Sequence, residues 1–306
     1  MVYGFLDRSG GVIAGRSGYT PAVEGEKKRS NEMDETRKPN GMEHPPYFVK
    51  EMSGRVLWLT LNQPRKGNAL SIGAIDALTE ALEEAYADRT VKVIVLANEG
   101  KIFCAGHDLK EMSAGDGVEE NQAAQRDIFD RCTKMMMTIL HGDKPVIACV
   151  QGIATAGGAQ LVATCDLAVA AKSAAFCTPG VNLGGFCTTP LIAVGRTMHR
   201  KHAMEMALTG DLFGADDAVR FGLINQAVPD NELRERTEGM AQKIAEKSSE
   251  AIRLGKKAFY QQMDMPVEQA YAFGIGKMIE VNTTEDARRG IKAFFDKQKP
   301  VWRDEE

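Results

Sequence analysis

Two short stretches that contain glycine, about 50 residues apart, carry the residue types best suited to chemistry in this sequence. The first reads IFCAGHDLKE over Ile102–Glu111, and the second reads GIATAGGAQ over Gly152–Gln160. Backbone N–H groups at a helix start lack partners and carry partial positive charge, and glycine lets a ligand approach the main chain. Two such turns that converge on one carbonyl oxygen would form an oxyanion hole. Tight packing of strand against helix, with no ligand, explains the same glycines and stays open on spacing alone.

Short apolar runs around the two stretches predict strands that are buried on both faces. A hairpin is predicted before them, with Ser53-Gly54 as its turn. Ser71 is the predicted N-cap of the helix that follows the hairpin. Alternation of strands and helices predicts βαβ units and a largely parallel sheet. The predicted strands are Tyr47–Met52, Val56–Asn62, Val91–Ala97, Pro145–Val150 and Leu167–Ala171.

Helical periodicity dominates from about Arg196 onward, apart from a short strand-like run at Leu223–Val228. We therefore expect an α/β core over residues 46–195 and a helical region over residues 196–306. The predicted helices of this region are His202–Thr209, Asp216–Phe221, Asn231–Glu246, Ser249–Gln262 and Thr284–Lys297.

The first 45 residues are polar or rich in glycine and lack periodicity, so we expect a disordered extension. Its first part, Met1–Ala22, lacks the apolar segment of a secretory signal and has only two arginines, which is few for a transit peptide. A cytoplasmic location is the simplest expectation, and a mitochondrial matrix location follows if the extension is a targeting segment.

The composition argues against several classes of protein. A net charge of -4 and a pI near 5.9 argue against a nucleic-acid binder, and no apolar run is long enough to span a bilayer. The six cysteines are spaced as reduced core thiols, and the histidines show no metal-ligand pattern. Neither a dinucleotide-binding G-x-G-x-x-G after a strand nor a P-loop occurs, which excludes the usual nucleotide enzymes.

Three successive motifs stand in the first part of the predicted core: N-Q-P with N-A-L over 62–70, F-C-A-G-x-D-L-K over 103–110 and G-x-A-x-x-G-G over 152–158. In this order they resemble the signatures of the crotonase superfamily, which is the enoyl-CoA hydratase/isomerase family. The resemblance extends from Tyr47 to Trp302, and within the superfamily it is closest to the enoyl-CoA hydratase domain-containing group. It implies an α/β fold: a crotonase-like spiral of ββα/βαβ units with a helical C-terminal region that builds trimers or dimers of trimers.

The resemblance also implies roles for individual residues. The backbone N–H groups of His107 and Gly157 would form the oxyanion hole for an acyl-CoA thioester. No cofactor would be bound permanently, because coenzyme A is part of the substrate. No metal, nucleic-acid or membrane partner is implied. Residues expected to contact the CoA portion are Lys66, Ala105, Asp108, Lys110, Phe294 and Lys297, the last two across a subunit boundary in some relatives.

The sequence departs from the family at the two glutamates that carry out hydration, since their positions fall on Gln160 and Gly180. An amide cannot exchange a proton and glycine has no side chain, so binding of a thioester is better supported than hydration. Two interpretations stay open: an acyl-CoA enzyme with another acid or base, or an acyl-CoA-binding homologue with little hydratase turnover. The alternative acids and bases are the His107 imidazole and the acidic residues Glu111, Asp116, Glu119 and Glu120, for which a solvated loop is the simpler interpretation.

Overall fold

The computed structural model describes residues 46–113 and 115–305. The predicted extension, residues 1–45, lies outside this range. The strands are β1 (Phe48–Ser53), β2 (Val56–Leu61), β3 (Val93–Asn98), β4 (Ile102–Cys104), β5 (Val146–Val150), β6 (Ile153–Thr155), β7 (Leu167–Ala171), β8 (Ala175–Cys177), β9 (Phe213–Gly214) and β10 (Gln226–Val228). The helices are α1 (Ile72–Ala87), α2 (Leu109–Met112), α3 (Val118–His141), α4 (Gly157–Thr164), α5 (Pro190–Thr197), α6 (Arg200–Thr209), α7 (Ala215–Phe221), α8 (Leu233–Ala245), α9 (Ser249–Gln262), α10 (Val267–Asn282) and α11 (Glu285–Phe295). Short 3-10 helices lie at Pro64–Lys66, Pro179–Leu183, Asp230–Glu232 and Arg303–Glu305.

The larger sheet has the order β1-β2-β3-β5-β7-β10 and is parallel except for the hairpin of β1 and β2. Gly54 makes the hairpin turn with a φ of 58°, a conformation that glycine adopts without the steric penalty of a side chain. All residues of β3 and β5 are buried, as expected for parallel strands covered on both faces.

Alternate residues of each central strand pack into two separate hydrophobic cores, one on each face of the sheet. Ile94 and Leu96 of β3 pack under α1 and α3, whereas Val93 and Val95 face α8. This alternation follows from the two-residue repeat of a strand. Burying each such side chain contributes roughly 1.5–3 kcal/mol, so the central sheet is a firm base for the loops at its edge.

The smaller sheet has the order β4-β6-β8-β9, and its first three strands are parallel. The carboxyl ends of β4, β6 and β8 therefore meet at one edge. The segments that follow them are the first loop (residues 105–108), the second turn (residues 156–158) and the third segment (residues 178–187). Ligands of α/β proteins bind at such an edge.

The C-terminal helices attach to this core through a buried ion pair. Lys256 of α9 lies 2.7 Å from Asp166, which follows α4, and it also donates to the carbonyls of Ile139 and Lys144. Tyr260 donates to the other oxygen of Asp166, and this carboxylate accepts the N–H of Val146 at the start of β5. Asp166 thus joins α9 to the start of β5.

The outer faces of α9, α10 and α11 carry exposed apolar side chains, and neither α9 nor α10 has a fully buried residue. These exposed side chains are Phe259, Val267, Tyr271, Ile275, Met278, Ile279, Ile291, Phe294 and Phe295. No helix within the described ranges is long and apolar enough to cross a membrane.

Candidate functional site

The first loop and the second turn touch each other through glycines. A Cβ on Gly106 would lie 3.0 Å from the backbone N of Gly157, and a Cβ on Gly158 would lie 2.1 Å from the carbonyl oxygen of Cys104. Gly106 has a φ of 84°, in the left-handed region that favours glycine. The convergence expected from the two glycine stretches is therefore present in the fold.

The backbone around His107 is fixed by Leu70. Leu70 N–H donates to Gly106 O at 2.8 Å, and Asp108 N–H donates to Leu70 O at 3.3 Å. In this parallel bridge the flanking residues make the hydrogen bonds, so the N–H of the intervening His107 is not directed at Leu70. The N–H of Ala105 instead donates to Gly67 at 2.9 Å, so it is not free for a ligand.

Gly157 is the first residue of α4, so its N–H has no acceptor within the helix. The preceding residue, Ala156, has a φ of 50° and is held by a 2.9 Å hydrogen bond from its N–H to Cys177 O. A non-glycine residue in this conformation stores strain, and such strain clusters at functional sites. The positive end of the α4 dipole thus lies directly beside the first loop.

The His107 imidazole lies against the second turn. A Cβ on Gly157 would come within 3.5 Å of His107 Cε1, and the Phe129 ring packs edge-on against the imidazole with centroids 5.2 Å apart. Among the residues that the structure describes, buried Nε2 has no hydrogen-bond partner. Burial lowers the pKa of His107 to about 4, because the charged form loses hydration, so the ring is neutral near pH 7.

Gln160 and Thr178 add two further polar side chains to this edge. Gln160 lies one turn into α4 and is 8% exposed, and Thr178 follows β8 and is fully buried. The pairing of Thr155 with Cys177 puts Thr178 opposite the second turn. Gln160 Oε1 and Thr178 Oγ1 have no hydrogen-bond partner within the described part of the chain. Thr178 was missed by sequence reasoning, because β8 has only three residues.

Gly180 belongs to the third segment, and Cys187 of the same segment lies close beside it. A Cβ at this position would lie 2.9 Å from the backbone N of Cys187 and 3.0 Å from its Sγ. Burial raises the pKa of the Cys187 thiol, and a backbone hydrogen bond with Gly180 opposes this effect. A side chain at position 180 therefore requires residues 186 and 187 to shift.

The acidic side chains near the first loop do not reach the converging turns. Glu111 accepts the N–H of Ile72 at 2.6 Å and so caps the start of α1. Asp116, Glu119 and Glu120 are exposed to solvent. Their interpretation as solvated acidic residues agrees with this exposure.

Three polar residues expected at the CoA portion lie near the first loop. Lys66 ends a 3-10 helix, Asp108 caps α2 by accepting the N–H of Lys110 at 2.9 Å, and both lysines are exposed. Phe294 lies in α11 and Lys297 follows it, and the main contacts of α11 are with α9 and α10. Within one chain, therefore, these two residues are not brought to the first loop or the second turn.

No group of three His, Cys, Asp or Glu side chains in residues 46–113 and 115–305 is arranged to hold a metal ion. The polar groups of the site are thus backbone N–H donors and uncharged side chains.

Comparison with known proteins identifies the family and the fold. The family model described as "Enoyl-CoA hydratase/isomerase" matches residues 51–305. A mitochondrial enoyl-CoA hydratase domain-containing protein 3 from Rattus norvegicus is 40% identical over 268 residues, which cover 87% of this chain and 87% of the relative. A solved enoyl-CoA hydratase from Mycobacterium smegmatis superposes with a TM-score of 0.80 at 43% identity, over 84% of this chain and 99% of that one. The solved human enoyl-CoA hydratase domain-containing protein 3 superposes with a TM-score of 0.80 at 38% identity, over 84% of this chain and 100% of that one.

Proposed function

The chain belongs to the enoyl-CoA hydratase/isomerase family and has the crotonase fold, and we propose that it binds acyl-CoA thioesters and polarises the thioester carbonyl with the N–H groups of His107 and Gly157. The observation that carries this proposal is the direct contact of the first loop with the N-terminus of α4. Two preorganised N–H donors beside a helix dipole stabilise the negative charge that develops on a thioester oxygen.

Lys66, Asp108 and Lys110 would line the CoA portion within one chain, and the lysines would contact its phosphates. Phe294 and Lys297 would act from a neighbouring subunit. A homotrimer or a dimer of trimers is the assembly that we propose, since α9–α11 leave many large apolar side chains exposed, as surfaces that pack against other subunits do.

We further propose a lyase- or isomerase-type activity on acyl-CoA, without the two-glutamate hydration chemistry. An acyl-CoA-binding homologue with little hydratase turnover is the second candidate. It is favoured by one observation, the space beside Gly180 that Cys187 fills. The word "mitochondrial" in the names of several relatives supports a matrix location for this chain.

Two variants test the oxyanion hole. Gly157→Pro deletes one donor at the first helical position, although its ring also crowds Ala156, whose φ of 50° and ψ of −114° lie outside the region favoured before proline. Gly106→Ala puts a methyl group 3.0 Å from Gly157 N and forces the two turns apart. Calorimetric titration should give a preference of the wild type for butyryl-CoA over free CoA, and each variant should lose roughly two- to tenfold of that preference.

Gly54→Ala is the matched control, because Gly54 also has a positive φ but lies in the distant β1–β2 turn. This variant should keep the preference for butyryl-CoA over free CoA, although it introduces a similar backbone strain. Equal affinity of the wild type for butyryl-CoA and CoA, or an undiminished preference in both folded variants, would contradict the proposed oxyanion hole.

A further inference from the structure

The carboxylates expected at positions 160 and 180 are absent, yet the site holds one titratable side chain that the proposed function leaves unused. His107 supplies its backbone N–H to the oxyanion hole, while its imidazole faces Gly157 from the same residue. Around the ring lie Leu70, Phe129 and Gly157, which carry no charge.

The unpaired Nε2 atom needs an explanation. Buried polar atoms in folded proteins nearly always have a partner, and the exceptions often mark functional sites. Phe129 holds the ring from one side, so the imidazole does not swing freely toward solvent. A neutral imidazole has one nitrogen that can accept a proton, and burial keeps His107 in this form at pH 7.

We propose that the His107 imidazole is the acid–base group that removes a proton from carbon 2 of the bound thioester and returns it at carbon 2 or at carbon 4. This rests on the proposed oxyanion hole. The C2–H bond breaks, the proton goes to the imidazole, and the electron pair forms an enolate whose oxygen is held by the N–H groups of His107 and Gly157. With a 3-enoyl thioester the same proton returns at carbon 4 as the double bond moves to C2=C3, so that no other reactant is consumed.

A single acid–base group fits this reaction better than hydration. Hydration needs one group to take a proton from water and another to protonate carbon 2, whereas proton transfer between C2 and C4 uses one group twice. Gln160 and Thr178 cannot serve as a second acid–base group, because an amide and an aliphatic hydroxyl do not exchange a proton near pH 7.

The test uses the full chain and trans-3-hexenoyl-CoA, whose C2 protons are acidified by the double bond. We expect the wild type to form the 2-enoyl isomer or to incorporate deuterium at C2 in D₂O. His107→Gln should lower the rate of both reactions about 100-fold or more, the usual contribution of general acid–base catalysis. His141→Gln, a change of an exposed histidine at the end of α3, should keep the wild-type rates.

Binding separates the two proposals. His107→Gln retains the backbone N–H, so its preference for butyryl-CoA over CoA should change less than about threefold. No C2–H cleavage by the wild type, or a rate in folded His107→Gln within twofold of the wild type, overturns the role of the imidazole. Loss of the butyryl-CoA preference in the wild type would instead overturn the oxyanion hole.

Discussion

Crotonyl-CoA hydration by the unchanged protein is expected to lie roughly 10²–10⁴-fold below that of a relative with both glutamates. The amide of Gln160 cannot exchange a proton, and Gly180 offers no side chain. The measurement is the loss of the conjugated thioester absorbance at matched protein concentration. A hydration rate close to that of the relative would show that another residue activates water, and His107 would be the first candidate.

Restoring both carboxylates is not expected to restore hydration. Gln160→Glu replaces one buried side chain by another of nearly equal size, but Gly180→Glu drives a Cβ into Cys187. Because two of the three nearest atoms are backbone atoms of residues 186 and 187, rotation of a side chain cannot relieve the overlap. We expect the double variant to hydrate crotonyl-CoA within tenfold of the wild type and to melt at a lower temperature.

Gly185→Glu is the matched control for this experiment. It adds the same side chain to the same segment, but a Cβ there meets only Gly180 O at an ordinary 3.6 Å. Its melting temperature should stay close to that of the wild type. If the melting temperature of Gly180→Glu is no lower than that of Gly185→Glu, then residues 186 and 187 move to admit the new side chain at little cost in stability.

The largest loss of stability is expected from Lys256→Met. This change leaves Asp166, which is 15% exposed, with a buried charge and no cation. Breaking a buried ion pair from one side costs about 3–5 kcal/mol. For a chain of this size that corresponds to a fall of roughly 6–15 °C in the melting temperature, measured by calorimetry at one protein concentration.

The neighbouring residue provides the control. Lys257 pairs with Asp143 at 2.5 Å, but both side chains are about two-fifths exposed. Lys257→Met should therefore cost no more than about 1 kcal/mol. Adding Asp166→Asn to Lys256→Met should recover part of the loss, because it removes the unpaired charge. Equal melting temperatures for the two single lysine variants would contradict the role of the buried pair.

The four central strands of the larger sheet, β2, β3, β5 and β7, could be predicted because each is an almost continuous apolar run. Leu167–Ala171 matches the predicted bounds, and so does the helix Ser249–Gln262. The helices α3 and α10 were not predicted. The first half of α3 is polar, and α10 contains two glycines and apolar residues on several sides, so neither shows one clear stripe.

The candidate site was predictable only in its backbone. Glycines mark the first loop and the second turn because a side chain there would collide with neighbouring main chain. The His107 ring packs against Phe129, which is 22 residues away, and Cys187 lies beside Gly180 because of the fold of the third segment. Both contacts depend on tertiary structure. No local pattern of residues encodes such contacts, so they required the structure.

The seating of Cys187 beside Gly180 also constrains the order of evolutionary change. A glutamate that arises by mutation at position 180 meets backbone atoms of residues 186 and 187. Such a mutation is expected to be selected against unless the third segment has already changed, so the order of the two changes matters. Lineages with this pairing are expected to elaborate whatever chemistry remains rather than to return to hydration.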